Sequence, residues 1–427
     1  MAPTASPAVN VKDYGAKGDG SSDDTSAIMA ALRAVAAKGG GLAYVPDGTY
    51  RVTQITIPDG VSVAGEGPGR SWLHGRVTAG SSMTLSDLKI GVGGKAFHFA
   101  DGSHDSFAKG CRFTGGGDKD SGSESGVIQF SGDNSARNIT FQNCIIERNA
   151  QYSDDVCLIE RGWEGGHYEN IVFDGCHFLG APLMALECVH RPRPEHPTTM
   201  GYSVSVLNCT FEPTDSQTIS FDGKMSASGQ PVNKAVLQNC LIKGGGADPA
   251  QPWPHDLEVN APVKADVSGN TFYAARGTMI NWDAGTLGSA NSTFTNNTFD
   301  GTQGVAHPPD AGHLYLQGSG GLFADNTIKV DSGCQVFLIT GSRNTISNNS
   351  VTDVRSSTSI RIFDLNAGTS NHIEGNSLHA LGGTVVLRTG SNENWFVGNA
   401  FETGKTEAQL FNIAAGVTVH LDSDTYR

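Results

Sequence analysis

Asn270-Thr-Phe272 recurs as Asn297-Thr-Phe299 and again as Asn326-Thr-Ile328. The same pattern, a small or amide residue, any residue, then a large apolar one, extends in both directions. Upstream it reads Cys111-Arg-Phe113, Cys144-Ile-Ile146, Cys176-His-Phe178, Cys209-Thr-Phe211 and Cys240-Leu-Ile242; downstream it reads Asn349-Ser-Val351, Asn376-Ser-Leu378 and Asn399-Ala-Phe401, closing at Asp424-Thr-Tyr426. From Cys111 the spacings are 33, 32, 33, 31, 30, 27, 29, 23, 27, 23 and 25 residues. Repeats of this period are units that stack on their neighbours. The spacing predicts an all-β chain, a single-stranded right-handed parallel β-helix of about a dozen coils. Like residues then stack along the axis. Asparagines form an inward amide ladder, and the cysteines fill the same narrow corner as buried free thiols.

A second strand precedes each marker, as in Gly126-Val-Ile-Gln-Phe130, Gln217-Thr-Ile-Ser-Phe221, His313-Leu-Tyr-Leu316 and Gln335-Val-Phe-Leu-Ile339. Glycines follow many of these strands, where a sharp corner is needed. They account for part of the 55 glycines among 427 residues, nearly twice the usual share of roughly 7%. Thr25 to Ala37 reads as the one helix. Asp23 and Asp24 are placed to cap it, and Ile28, Met29, Leu32 and Val35 form its apolar face. Such a helix covers the open end of the stack, which would otherwise expose unpaired strand edges. The expected organisation is 1–8 as a disordered or tag-like start, 9–65 as a capping module, and 66–427 as the β-helix.

Acidic residues outnumber basic ones, 43 to 29, for a net charge of −14. A diffuse negative field disfavours nucleic acid and anionic membranes, and no apolar run is long enough to span a bilayer. An acidic glycan would need a local basic patch. No cysteine pair has zinc-ribbon or CxxC spacing. The first ten residues lack the basic and apolar segments of a signal peptide. The expected location is extracellular, through a removed leader or as part of a virion tail.

The stretch Val9-Asn-Val-Lys-Asp-Tyr-Gly-Ala-Lys-Gly-Asp-Gly-Ser-Ser-Asp-Asp-Thr25, with Gly39-Gly-Gly-Leu-Ala-Tyr-Val-Pro-Asp-Gly-Thr-Tyr50 after the helix, resembles the N-terminal module of pectate-lyase-like β-helix proteins. That superfamily includes polygalacturonases, related glycoside hydrolases, alginate epimerases and phage tailspike depolymerases. The resemblance implies the fold, a polysaccharide substrate and, for a tailspike, a homotrimer. Asp19, Asp23 and Asp24 read as structural. The activity motifs do not carry over. Of the polygalacturonase set only Asp154-Asp155 and Arg361-Ile362 occur; Pro254-His255-Asp256 is the nearest string to the epimerase motif, and Arg191-Pro-Arg-Pro-Glu-His196 only hints at the pectate lyase one.

Strand alternation nominates outward carboxylates. Ile219 and Phe221 point in, leaving Asp222 out; Leu257 and Val259 point in, leaving Asp256, Glu258 and Asn260 out. By the same reading Glu187, Asn281 and Asp283 face out, with Glu160 on a strand readable in either phase. The expectation is one acidic column, Glu160, Glu187, Asp222, Glu258 and Asp283, with Asp256 in reserve. Like charges about 4.8 Å apart destabilise a sheet, so such a column suggests catalysis or cation binding. Paired carboxylates are what glycosidic cleavage requires. The leading reading is therefore a glycoside hydrolase needing no cofactor. The alternatives are a polysaccharide lyase or epimerase on a uronate polymer, which would use Ca²⁺, and a phage receptor-binding or depolymerase protein. Trp163, His190, Arg191, Arg193, Lys224, Trp253, His255, Asn281 and Tyr315 are the expected substrate contacts, mostly on the longest coils.

Overall fold

The computed structural model describes residues 8–427 except 93–95, 116–125, 131–134, 149–155, 163–167, 181–183, 191–200, 224–232, 247–254, 261–262, 274–277, 284–290, 302–311, 332–334, 355–360 and 381–386. It divides into two compact units, Met1–Thr210 and Phe211–Arg427. In each unit the strands are short and parallel, and they wind through three stacks, which makes each a parallel β-helix.

In the first unit one stack runs Val9–Asn10, Gly41–Tyr44, Val61–Ala64, Thr84–Ser86, His104–Lys109, Ala136–Gln142, Tyr168–Asp174 and Tyr202–Leu207. The long strand Ser71–Ala79 feeds two further stacks. Its first half pairs with Lys89–Ile90, followed by Arg112–Gly115, Ile145–Arg148 and His177–Leu179. Its second half pairs with Phe97–Phe99, followed by Gly126–Phe130, Val156–Gly162 and Met184–His190. The second unit repeats this plan. One of its stacks runs Ile219–Asp222, His255–Asn260, Thr278–Asp283, Gly312–Leu316, Gln335–Ile339 and Phe363–Leu365.

The core is a set of stacked rows. Phe141 lies on Phe173 at 4.9 Å between ring centroids, Phe272 on Phe299 at 5.0 Å, and Phe337 on Phe363 at 5.0 Å. Trp282 is fully buried, and a Cβ at Gly318 or Gly321 would come within 2.1 or 2.3 Å of its ring. These two glycines are there to make room for an indole.

The corner ladder follows the repeat. From Asn297 onward each asparagine of the ladder receives the backbone N–H and the side-chain Nδ2 of the rung before it on its Oδ1, as Asn297 does from Asn270 at 3.0 and 2.9 Å. Its own Nδ2 donates back to a carbonyl of the preceding coil, Val267 in this case, at 2.9 Å. Cysteine uses the same two connections with sulfur. The Cys209 Sγ accepts from the Cys176 N–H at 3.3 Å and donates to the Phe173 carbonyl at 3.6 Å. Six described cysteines, 111, 144, 176, 188, 209 and 240, are buried free thiols. The residue before each rung turns the corner with a positive φ. It is Asn or Asp at 143, 208, 239, 296, 325 and 348, and Gly at 110, 175, 269, 375 and 398. These residue types tolerate the left-handed region best.

The N-terminal helix spans Thr25–Ala36, one residue shorter than expected, and packs on the strands Gly41–Tyr44 and Gly48–Ile57. Its buried face is Ile28, Ala31, Leu32 and Val35. Met29 is only half-buried, and its sulfur accepts the Thr56 N–H at 3.4 Å. Asp24 does not cap the helix with its side chain. Its carboxylate instead accepts from the N–H groups of Lys17 and Gly18 at 2.7 and 3.0 Å, pinning the preceding loop. Asp23 accepts from the Thr25 N–H at 2.9 Å, and Asp19 from Ser21 and Ser22. All three have structural partners.

Candidate active site

The register of the second unit replaces the single acidic column with two rows. Ser220, Glu258, Asn281 and Tyr315 face one another on successive strands. Asp222, Asn260 and Asp283 form the adjacent row, two residues further along each strand. Each acid therefore has a neutral side chain as its direct lateral neighbour. Alternation gives the correct outward phase for these positions but does not say which of two outward rows a carboxylate occupies. Asp222 and Glu258 are diagonal neighbours. With strands about 4.8 Å apart and two residues of about 3.3 Å rise, their Cα atoms are about 8 Å apart.

Glu258 is the best-supported group. Gln217 Nε2 donates a short hydrogen bond to its Oε2, and Asn281 Nδ2 donates to its Oε1 at 3.4 Å. Gln317 Nε2 in turn donates to Asn281 Oδ1 at 3.2 Å, fixing which way the amide faces. Burial raises the Glu258 carboxyl above its ordinary value, a hydrogen bond from Asn260 opposes this, and the charge of Asp222 raises it further. The result is a carboxyl that holds its proton to higher pH, beside a second carboxylate. Asn281, named as a substrate contact, and Asp222 are 8% and 7% exposed, and the Asn281 amide orients Glu258. Tyr315 is half-buried at the next position of the row.

Asp256 is a correction. It was expected to face solvent, but it is 1% exposed, and its Oδ1 accepts the Gly245 N–H at 2.8 Å. Burial pushes its carboxyl well above the usual range. Its Oδ2 is buried without a hydrogen-bond partner among the described residues. The turn around Gly245 covers this position, which strand alternation alone does not reveal. His255, expected in a substrate loop, begins the strand His255–Asn260 instead. Both ring nitrogens are shielded from solvent, and burial holds its pKa down to about 4.

In the first unit Glu187 is 9% exposed and lies opposite Ile159. Glu160 was placed in the same column; its backbone pairs with Phe130 and Cys188. The side chains of Glu160 and His190 lie outside the described residues, as do Trp163, Arg191, Arg193, Lys224 and Trp253 entirely. Among the described residues no three His, Cys, Asp or Glu side chains converge as a metal ion would need.

Sequence reading gave Gln217 and Gln317 no place in the site, and named Asn260 only as an outward residue. They were available as polar residues flanking Glu258, Asp222 and Asn281 on outward strand positions. Amide side chains draw less attention than charges, yet here they orient the acid.

The family described as rhamnogalacturonase A/epimerase, pectate lyase-like, matches residues 8–244, and the right-handed beta helix region matches residues 198–401. Mannuronan C5-epimerase AlgE3 of Azotobacter vinelandii is 49% identical over 70 residues, 14% of this chain and 4% of its own length. The plasmin and fibronectin-binding protein A of Streptococcus pneumoniae is 55% identical over 51 residues, 12% of this chain and 7% of its own. The chain thus spans a small fraction of these curated relatives. The tailspike protein of E. coli bacteriophage HK620, solved in complex with a pentasaccharide, superposes over 88% of this chain and 79% of its own at 13% identity, with a TM-score of 0.56. That likeness is one of fold. The sequence match covers more than half of the residues, and the chain belongs to the rhamnogalacturonase A/epimerase, pectate lyase-like family.

Proposed function

We propose that this protein is a carbohydrate-active enzyme that cleaves glycosidic bonds in an extracellular polysaccharide, with Glu258 as general acid and Asp222 as the partner carboxylate. The carrying observation is the Glu258 environment: a carboxyl raised by burial, oriented by amides, with a second acid diagonally across the strands. Glu258 protonates the leaving oxygen, and Asp222 activates water or attacks the anomeric carbon. With Cα atoms about 8 Å apart, the two side chains share one face across adjacent strands, as a carboxyl pair flanking a glycosidic bond must. Glu258→Gln is expected to lower kcat by about 10²–10⁴, as is Asp222→Asn, read as the release of new reducing ends. Unchanged turnover in both variants would sink the assignment.

A second reading is favoured by the identity to a mannuronan C5-epimerase: action on a uronate polymer by proton abstraction beside the carboxylate. Its products differ. Elimination gives an ultraviolet-absorbing unsaturated sugar, and epimerisation leaves chain length unchanged.

A further inference from the structure

The corner leading into the Glu258 strand is laced to the corner one coil before it. Segment 213–218 joins strand Thr210–Phe211 to Ile219–Asp222, and the glycine turn 244–246 follows strand Leu241–Ile242 of the next coil. The Lys243 N–H donates to the Phe211 carbonyl at 3.0 Å, the Thr214 N–H to that of Gly244 at 3.2 Å, the Gly246 N–H to that of Ser216 at 2.6 Å, and the Thr218 N–H to that of His255 at 2.9 Å. Gly245 stands in the middle of this lacing, and its N–H goes to Asp256 Oδ1 at 2.8 Å. The approach there is close. A Cβ at Gly245 would lie 2.3 Å from the Ser216 carbonyl oxygen and 2.6 Å from that of His255. The turn can press against both backbones because residue 245 carries no side chain.

Ser216 immediately precedes Gln217, whose Nε2 donates to Glu258 Oε2. Thr214 and Thr218, both fully buried, close the base of this corner with a hydrogen bond of 3.1 Å between their hydroxyls. A chain of contacts therefore runs from Asp256 through Gly245, Ser216 and Gln217 to Glu258. It begins and ends on one strand, two residues apart. Burying a carboxyl is costly, and Asp256, at 1% exposure, meets the backbone N–H at the centre of the corner that carries Gln217.

We propose that Asp256 is a positioning residue for Glu258: by holding Gly245 it fixes the corner at Ser216, and so the Gln217 amide that orients the acid. The relay rests on Glu258 being the acid of the proposed reaction, but its own signature is the ionisation of Glu258, which can be read without turnover. Burial and the charge of Asp222 raise the Glu258 carboxyl; hydrogen bonds from Asn260, Gln217 and Asn281 oppose them. A carboxylate that loses one such donor holds its proton to higher pH.

The test is a ¹³C NMR titration of the full chain labelled at its glutamate carboxyls, with the Glu258 signal assigned from Glu258→Gln. Gln217→Ala is expected to raise the Glu258 midpoint by about one pH unit. Asp256→Ala and Gly245→Ala leave Gln217 and Glu258 in the chain and are expected to raise it in the same direction. Asp256→Asn keeps an acceptor for the Gly245 N–H and is expected to leave it at the wild-type value. Simple removal of a negative charge at 256 would lower the midpoint, so the direction separates the relay from charge alone. Thermal unfolding checks that each variant is folded; Asp256→Ala and Gly245→Ala approach the corner from opposite sides, and either one decides. An unshifted or lowered midpoint in a folded variant of either kind, or Asp256→Asn shifted as far as Asp256→Ala, overturns the proposal. Reducing-end release from polygalacturonate, alginate and cellulose keeps the two assignments apart. A midpoint that shifts as expected while Glu258→Gln still turns over supports the relay and removes Glu258 from catalysis. An unshifted midpoint with Glu258→Gln inactive does the reverse.

Discussion

Two acids of one strand, Asp256 and Glu258, occupy different solvents, and their behaviour with pH should separate them. Glu258 acts as an acid only while protonated, so the rate is expected to fall as pH rises through its raised value. A pH–rate profile checks this; the alkaline limb should vanish in Glu258→Gln along with most of the activity. Asp256 bears on stability. Its folded value lies well above the ordinary 3.8, so the stability it lends is complete below about pH 4 and is lost as pH rises toward the folded value. Asp256→Asn keeps an acceptor for the Gly245 N–H and removes the ionisation. The variant's melting temperature, relative to wild type, is therefore expected to rise with pH from 4 to 8. A difference that stays flat across that range would show that the carboxyl ionises freely.

At the scale of the element, the corner ladder is the best target. Asn297 accepts two hydrogen bonds from Asn270 and donates to Val267, all buried. Asn297→Ala takes this partner from the Asn270 N–H and the Val267 carbonyl, while Asn270 Nδ2 keeps the Leu237 carbonyl, and should cost about 2–6 kcal/mol, at about 1–3 kcal/mol for each of the two buried groups. Asn297→Cys should cost less, because Cys209 already serves the same connections. Denaturant unfolding of both variants checks the order, and equal losses would mean that the rung matters only for its volume. The ladder was legible in the sequence because like residues stack at each rung. The turn residues just before it, such as Asn143, Asn208 and Asn239, were equally present as a signal and went unread. Register was not legible. Each strand offers two outward positions, so Asp222 and Glu258 looked like one column although Ser220 and Asn260 stand opposite them. Nor could alternation show that a turn at Gly245 would cover Asp256.

For the whole molecule, the coil repeat made the fold readable from spacing, while function needed side chains converging across coils. The hydrolase reading works through a carboxyl pair alone, so on that reading activity on a glycan is expected to survive exhaustive chelation. Activity that fell with chelator and returned with Ca²⁺ would turn the assignment toward the lyase or epimerase reading.

The ladder also has a direction. Each amide takes hydrogen bonds from the rung before and gives its own to the rung after, until Asp424 receives those of Asn399. A carboxylate has no amide hydrogens to pass on, so it serves as punctuation where Asn serves as a joining word. Any whole coil between two such rungs could be copied or removed and the sentence would still parse, whereas half a coil would break it. Length in this protein is accordingly a trait that inheritance can change in whole steps, with the chemistry of each remaining step untouched.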